Sequence, residues 1–468
     1  MKRPLFIYGA PASGKTTLAF SIARSLGVEA HDLDEAIERE RGETPAEIIR
    51  NRGQAHFRKV ERETLEKLVA KGAKLIALGG GTLTDMECRR WVEKRGAVIC
   101  LDTPDEATLK RRIKKDGASK RPLGDQSKAR AKHYASFTRR LTASFSAAGS
   151  LILVGKGFAR AFIEGEKTVV DERVAKLYRL KASLATVKGG DKNKTPKELQ
   201  TLWRRFAEKG VRRNEVVWAV GGGVTGDLTG FSAATWMRGI KWVNVPTTLL
   251  AMIDASVGGK TACDLESGKN LVGAFHAPSL VLIDTDFLAT LSPRLLADGK
   301  AEMIKHAIIG GKHLLPKTLS AAELAENLKV KLRIVRRDPY ETKGLRGVLN
   351  CGHTIAHALE AASGYKISHG AAVAIGCVEE ARLAVQWGLS PRSCADTRGL
   401  SPRSWPEELA EVFAEAGLKT DLPKGITLKK LSKFLRKDKK NATDGKINYY
   451  LPLGWHRLES NFIVDGKE

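Results

Sequence analysis

The sequence predicts an α/β protein built from two successive strand–loop–helix units and ending in a helical region. Three observations carry this. The apolar strand LFIYG leads into a Gly-rich loop and the helix TTLAFSIARSLG near the N-terminus. A second strand and loop, VVWAVGGGVTGDLTGFSAAT, repeats that order at 216–235. From about residue 290 the apolar spacing is mostly helical.

Length and composition set the frame. A chain of 468 residues is expected to hold about two to four domains, and 42% hydrophobic with 28% charged content excludes wholesale disorder. The formal net charge of +26, spread over both halves, points to anionic partners: nucleic acid, or small phosphorylated and carboxylated molecules. No run of about 18 apolar residues suggests a membrane span. The N-terminus meets Gly, Pro and Lys too early for a signal peptide. Six cysteines without a CxxC pair suggest reduced, mostly buried thiols in a cytoplasmic protein.

The first unit fits G-x-x-x-x-G-K-[ST] at Gly9, Gly14, Lys15 and Thr16, between a strand and a helix as the chemistry demands. Backbone N–H groups of such a loop point at phosphate oxygens, and the following helix turns its positive end toward them. Lys15 would reach the β/γ-phosphates and Thr16 would ligate Mg²⁺. The motif implies a nucleoside triphosphate but not the acceptor. A helical pattern at 45–71, strands at 74–81 and 96–102, and the segment Lys120–Asp125 follow. Asp32 and Asp34 sit two apart at a strand end, so one can hold Mg²⁺ or its water while the other meets a hydroxyl. Arg58 and Glu61 lie in FRKVERE, and the glycines at 79–81 let a backbone approach a ligand closely. Arg121 lies in the lid-like KRPLG, and Arg130 lies four residues before Tyr134. Alone, each has a plainer reading: Asp34 as a helix cap, Arg58 and Arg121 as solvated charges.

Taken in order over residues 1–147, the P-loop, D-x-D, F-R-x-x-E, G-G-G and R-P-L resemble shikimate kinase. The resemblance implies ATP and Mg²⁺ held by Gly9, Ala12, Ser13, Gly14, Lys15, Thr16, Thr17 and Asp32, with Arg121 closing over ATP. It implies shikimate held by Asp34, Arg58, Gly80, Gly81 and Arg130. Asp34 would position the hydroxyl for in-line attack, and the arginine fork suits a carboxylate. The segment between Arg121 and Arg130 is shorter than the family's.

A composition shift at 141–168 marks a boundary near 147. Beyond it, GGGVTGD at 221–227 is by itself a weak pyrophosphate signal. Polar motifs then accumulate: RG at 238–239, VPTTLLAMIDASVGGKT at 245–261, GKN at 268–270, AEMIKH at 301–306, LRGVLNCGHTIAHALE at 345–360 and SHGAAVAIG at 368–376. His353 and His357, four apart, share a helix face. Spacing alone makes them a pair of zinc ligands with Glu360 as the third, and leaves Glu302 and His369 as distant candidates.

This motif string, over about residues 165–455, resembles 3-dehydroquinate synthase. The resemblance implies Zn²⁺ (or Co²⁺) held by Glu302, His353 and His369, with open positions for substrate. It moves His357 into a substrate-phosphate network. The implied reaction converts 3-deoxy-D-arabino-heptulosonate 7-phosphate to 3-dehydroquinate and phosphate. NAD⁺ removes a hydride, phosphate leaves, the hydride returns, and an aldol step closes the ring. Lys260, Asn270, Lys305, Lys331, Arg346, Asn350 and His357 match substrate-contacting positions, with Lys440 or Lys439 added from DKK at 438–440. Arg238 matches a position that the partner subunit supplies, which implies a homodimer. NAD⁺ would lie against Asp171, Gly222, Gly223, Val224, Asp227, Thr247, Thr248, Asp254 and Lys269. Asp191 and Lys194 stand in the family's G-E-x-x-K, with Asp replacing Glu.

The expected layout is a P-loop kinase domain at 1–147, with a parallel sheet flanked by helices. An α/β NAD-binding subdomain at 148–290 and a helical metal- and substrate-binding subdomain at 291–468 complete a dehydroquinate-synthase fold. The leading expectation is a cytoplasmic bifunctional enzyme of the shikimate pathway. It would use ATP, Mg²⁺, NAD⁺ and Zn²⁺ or Co²⁺ on small molecules, with no nucleic acid or membrane partner. Lys15, Asp34, Lys260, Lys305, Asn270, His357 and Arg346 are its candidate catalytic residues. An alternative keeps the synthase active beside a degenerate or ATP-sensing kinase-like part, as the short lid suggests. A nucleic-acid-binding reading rests on the +26 alone and lacks an RRM, KH or zinc-finger pattern. The tandem GLSPRS at 388–393 and 399–404 reads as a duplicated surface loop.

Overall fold

A computed structural model describes residues 3–104, 108, 130–390, 404–435 and 446–465. Arg121, Lys439, Lys440, Cys394 and most of the GLSPRS tandem lie outside the described residues.

Apolar strands too short to fold alone line up side by side. They are β1 (Leu5–Tyr8), β2 (Ala30–Asp32), β3 (Leu75–Ala77), β4 (Ala97–Leu101), β5 (Arg140–Ala147), β6 (Ser150–Lys156), β7 (Lys167–Asp171), β8 (Ala185–Val187), β9 (Val216–Gly221), β10 (Lys241–Pro246) and β13 (Leu280–Asp284). Together they form one continuous sheet of 11 strands in the order β2-β3-β1-β4-β5-β6-β13-β10-β9-β7-β8. β1 and β13 are buried along their whole length, as strands covered on both faces must be. Two antiparallel hairpins stand apart, β11 (Lys260–Leu265) with β12 (Gly268–Phe275) and β14 (Lys446–Gly454) with β15 (Arg457–Asp465).

The helices that position the candidate sites begin and stop where local chemistry dictates. α1 (Lys15–Leu26) ends on Gly27, whose φ of 69° is the left-handed value a C-terminal cap needs. α2 is Leu33–Arg41. α3 (Pro45–Ala70) starts with a Thr44–Glu47 capping box and a proline in its first turn, and it kinks at Gly53. In the second half, α4 (Gly223–Thr235) follows β9, and α5 (Pro293–Gly310), α6 (Ala321–Arg337), α7 (His353–Ala362) and α8 (His369–Gln386) make the C-terminal region mostly helical. The β14–β15 hairpin is the part of that region the helical spacing did not announce.

The expected boundary near 147 falls on a turn inside the sheet. Ala148 and Gly149 both have positive φ, the geometry of a two-residue hairpin turn, and they join β5 to β6. Strands β2, β3, β1, β4 and β5 run parallel to one another. β5 and β6 are antiparallel, and β6, β13, β10, β9, β7 and β8 are again parallel among themselves. The two halves of the sheet therefore point in opposite directions. Ligands of open α/β sheets bind beyond the carboxyl ends of the strands, so the two Gly-rich loops open at opposite edges.

The halves also share a core. Leu18, Ala19 and Ile22 of α1, Ile152 and Val154 of β6, Leu280 and Leu282 of β13, and Leu324 and Leu328 of α6 belong to a single buried cluster. Polar contacts cross the same seam: Lys241 donates to the Arg24 carbonyl at 3.4 Å and Arg336 to the Ser146 carbonyl at 2.7 Å. Gly155 sits where β6 meets β5, and a Cβ there would overlap the carbonyl oxygen of Arg140. Gly155→Val is therefore expected to destabilise the chain by about 1–3 kcal/mol, the usual cost of overpacking. Because the sheet is continuous, thermal inactivation of functions in both halves should shift together; a shift confined to one half would contradict the shared core.

Candidate active sites

At the first edge, β1 runs into the loop that Lys15 closes. Gly9, Ala12 and Gly14 all take positive φ (146°, 59° and 94°), which curls the backbone at 9–14 into a tight turn. Lys15 is buried and donates to the Ala10 carbonyl at 2.8 Å, so its ammonium lies across the loop. Thr16 donates its hydroxyl to Asp32 Oδ2 at 2.5 Å. The other oxygen of Asp32 accepts the Asp34 and Glu35 amides and caps α2. The cap is thus Asp32 and not Asp34, which leaves the Asp34 carboxylate near Gly79.

The glycines at 79–81 are the meeting point of this edge. A Cβ on Gly80 would crowd Pro11 of the P-loop, and one on Gly81 would strike the guanidiniums of Arg58 and Arg130. Glu61, buried, orients Arg58 through a 2.5 Å ion pair and also accepts the Thr82 hydroxyl at 2.6 Å. The Tyr134 and Tyr8 hydroxyls donate to the Gly80 carbonyl at 2.7 and 3.2 Å. Tyr8 was not singled out from sequence, because only the fold brings it across to residue 80. Asp34, Arg58, Gly80, Gly81 and Arg130 are therefore gathered around one backbone segment beside the P-loop.

At the opposite edge, Gly222 caps α4 and its missing side chain leaves room against Thr248. The Thr247 amide donates to the Gly221 carbonyl at 2.9 Å. Asp171 caps the helix after β7 through the Arg173 and Val174 amides, and its remaining oxygen faces Gly189. Lys194 pairs with Asp227 at 2.5 Å and donates to Asn270. Burial, opposed by Lys194, raises the Asp227 carboxyl to about 6. Lys269 pairs with Asp191 at 2.6 Å and with Glu360 at 3.2 Å.

Lysines and arginines then converge toward α5. Lys331 on α6 donates to the Asp254 carboxylate at 2.5 Å, and Lys305 pairs with Glu302 one turn away on α5. Arg346 is buried and donates to the Gly258 and Pro339 carbonyls at 3.2 and 3.0 Å. Lys260 pairs with Glu341. Asn350 ends the turn before α7, and the His357 ring lies edge-on to His353 with centroids 5.5 Å apart. Arg238 is exposed and, like its neighbour Met237, has positive φ. Asp338, which accepts the Arg346 amide at 3.3 Å, was missed from sequence, as were Glu341 and the buried His306–Asn327 pair at 2.8 Å. Each is joined to its partner by the fold across a spacing that carries no motif.

Three donors from three helices meet at the centre of this edge. His369 Nε2 lies 3.2 Å and His353 Nε2 3.4 Å from the same oxygen, Glu302 Oε1. His353 Nδ1 bonds the Cys351 carbonyl at 3.0 Å, so that nitrogen carries the proton and Nε2 presents a lone pair to the carboxylate. Burial, reinforced by Lys305, pushes His353 down to about 3 and keeps it neutral. Against a burial penalty, Glu302 and Glu360 push His369 up to about 10. Two acceptor atoms held face to face repel unless a cation lies between them, so the Glu302, His353 and His369 donor set fits a divalent metal ion. A second cluster, Asp254, Glu302 and His306, shares Glu302. The trio favoured by spacing alone, His353 with His357 and Glu360, does not form a donor cluster among the described residues, although the two rings touch: Glu360 faces His369 Nδ1 at 3.7 Å.

An α/β nucleotide-binding half joined in one sheet to a second half with a histidine–carboxylate centre defines a two-activity enzyme, and comparison with known proteins gives the families. Residues 11–155 match the shikimate kinase family. Residues 184–298 and 299–441 match the N-terminal and C-terminal parts of 3-dehydroquinate synthase. The 3-dehydroquinate synthase of a Synechococcus species is 42% identical over 283 residues, covering 57% of this chain and 73% of that protein. That of Symbiobacterium thermophilum is 40% identical over 310 residues, covering 61% and 83%. The fold is shared with 2-epi-5-epi-valiolone synthase from Streptomyces hygroscopicus subsp. jinggangensis, solved with NAD⁺ and Zn²⁺ bound: TM-score 0.59, 24% identity, 69% of this chain and 95% of that one. It is also shared with 2-deoxy-scyllo-inosose synthase, solved with carbaglucose-6-phosphate, NAD⁺ and Co²⁺: TM-score 0.58, 23% identity, 69% and 97%. The chain belongs to the 3-dehydroquinate synthase family and carries a shikimate kinase domain ahead of the synthase. It is a fusion of two shikimate-pathway enzymes.

The double use of Asp32 separates stability from ligand binding. Asp32→Ala should cost about 0.5–2 kcal/mol by uncapping α2, while Asp32→Ser, which can still cap, should recover most of it. Chemical denaturation reads both; equal losses would show that the cap is not what Asp32 contributes.

Proposed function

We propose that the two edges of the sheet are separate active sites, one phosphorylating shikimate with ATP and one forming 3-dehydroquinate, each with the residues gathered at it. The observation that carries the second is the approach of His353 Nε2 to Glu302 Oε1 at 3.4 Å, beside His369 Nε2 at 3.2 Å. Glu302, His353 and His369 would hold Zn²⁺ or Co²⁺, and the Gly222 edge with Asp171, Asp191, Lys194, Gly223, Val224, Asp227, Thr247, Thr248, Asp254 and Lys269 would hold NAD⁺. A bound metal would acidify a hydroxyl and polarise a ketone, and bound NAD⁺ would accept and return a hydride. Lys305, Lys331 and Arg346 are buried cations held in place by Glu302, Asp254 and backbone carbonyls, so they present fixed positive charge to a phosphate and a carboxylate. Lys260, Asn270, Asn350 and His357 would complete that pocket.

In the kinase, the P-loop residues Gly9 to Thr17 would hold ATP, and Thr16 with Asp32 would hold Mg²⁺. Asp34 would orient the attacking hydroxyl, while Arg58 and Arg130 would take the shikimate carboxylate. The convergence of Asp34, Arg58 and Arg130 on Gly79–Gly81 favours an active kinase over an ATP-sensing remnant. The working division of the chain is 1–147, 148–290 and 291–468. A homodimer, with Arg238 reaching the partner's pocket, is favoured by exposed apolar side chains in this region: Phe275 of β12 lines one cleft with Arg238, and Met237, Leu271 and Val272 are also exposed. A cytoplasmic location fits the described cysteines, all buried and free, and no described helix is long and apolar enough to cross a membrane.

Paired variants test the whole reading. Lys15→Met should lower shikimate-dependent ADP formation about a hundred- to a thousandfold and leave phosphate release from the heptulosonate phosphate intact. His353→Ala, or chelation followed by excess Mg²⁺, should do the reverse. Mixing inactive Arg238→Ala and His353→Ala subunits should restore synthase activity, since one mixed site per dimer has all its groups. If either single variant abolished both activities, the two-site reading would fail; no restoration on mixing would remove the shared site.

A further inference from the structure

The helices that carry His353 and His369 are tied together by a carboxylate that belongs to no motif. α7 begins on Gly352, which has no side chain with which to cap it and takes a left-handed φ of 76°. Gly376 of α8 packs against the same point: a Cβ on Gly376 would overlap the Gly352 carbonyl oxygen, so the two helices touch backbone to backbone. Glu380 lies one turn further along α8, on the same face. It is fully buried, and its carboxylate reaches under the start of α7. Oε2 accepts the Gly352 amide at 2.7 Å and Oε1 the Ile355 amide at 3.3 Å.

A helix start leaves N–H groups unmet, and its positive end favours an anion. Glu380 supplies both needs, as a local capping box would, but from the helix that bears the other imidazole. The two amides it fixes flank His353. The His353 ring is in turn oriented by its bond to the carbonyl of Cys351, the residue just before Gly352. Backbone position and ring orientation are thus set within five residues.

We propose that Glu380 is a positioning residue of the metal centre: by gripping the first turn of α7 from α8, it sets His353 Nε2 against Glu302 and His369 and so tunes affinity for a divalent cation. This rests on the reading of Glu302, His353 and His369 as metal ligands. Its neighbour Glu379 is a built-in control, because that carboxylate pairs with Arg382 on its own helix.

The test uses the full chain, stripped of metal and titrated with Co²⁺, with chelator competition for affinity and the visible Co²⁺ absorption for ligand geometry. Glu380→Ala should weaken Co²⁺ binding about 10–100-fold, the usual cost of losing an outer partner of a ligand. Its synthase rate should recover at saturating metal, with kinase activity unchanged. Glu380→Gln, which retains an acceptor oxygen, should lose less, and Glu379→Ala should leave affinity unchanged. Should Glu380→Ala not fold, weaker affinity of Glu380→Gln with an intact circular dichroism spectrum supports the proposal. Unchanged Co²⁺ affinity in the folded Glu380 variants overturns it, whatever their melting temperature. If wild type takes up no Co²⁺ that His353→Ala abolishes, the metal-centre reading itself fails, and the role of Glu380 falls with it.

Discussion

The antiparallel pairing of β5 with β6 is the constraint from which the arrangement of the molecule follows. Five parallel strands on one side and six on the other cannot both feed ligands to the same edge once that pairing reverses direction. The two Gly-rich loops, and with them the two proposed sites, are consequently turned away from each other. The pairing also removes two sheet edges at once. β5 and β6 each cover the edge the other would expose, and a single core runs from α1 across β6 and β13 to α6. Fusion here is structural: the P-loop helix and the helix that carries Lys331 pack on one continuous sheet.

Charge organises each edge. In the synthase half, cations lie next to carboxylates that hold them still: Lys305 by Glu302, Lys331 by Asp254, Lys194 by Asp227. Such pairs seldom add much net stability when buried. Their value lies in preorganisation, because a side chain already desolvated and fixed need not reorganise when an anionic ligand arrives. Glu302 shows the principle at its densest. One oxygen faces two imidazoles and the other an ammonium, and against the penalty of burial Lys305 and the His369 imidazole hold the carboxyl well below its ordinary range.

What could be read from the sequence was what depends on few residues. The P-loop and the helix that ends at Gly27 are decided by contacts within about a turn, so their residues announce them. Pairings across the fold were another matter. Glu302 and His369 are 67 residues apart, and only the family resemblance joined them; local spacing pointed instead to His357 and Glu360. The choice of Asp32 over Asp34 as helix cap turned on where α2 begins, which a D-x-D spacing does not state. Strand order is not encoded locally at all, so a composition shift near 147 could mark a boundary without showing that the sheet runs through it. Glu380 was invisible for the same reason, since its partners are amides on another helix.

With one sheet and a shared core, both halves should open and close as one body. Native-state hydrogen exchange, followed by mass spectrometry across a denaturant series, reads this directly. Amides of β1 and β4 should merge with those of β9 and β10 into one global opening with the same free energy and denaturant dependence. If the kinase strands instead exchanged through a separate, lower-energy opening while β9 and β10 stayed protected, the halves would be independent domains, and the shared core would not couple them.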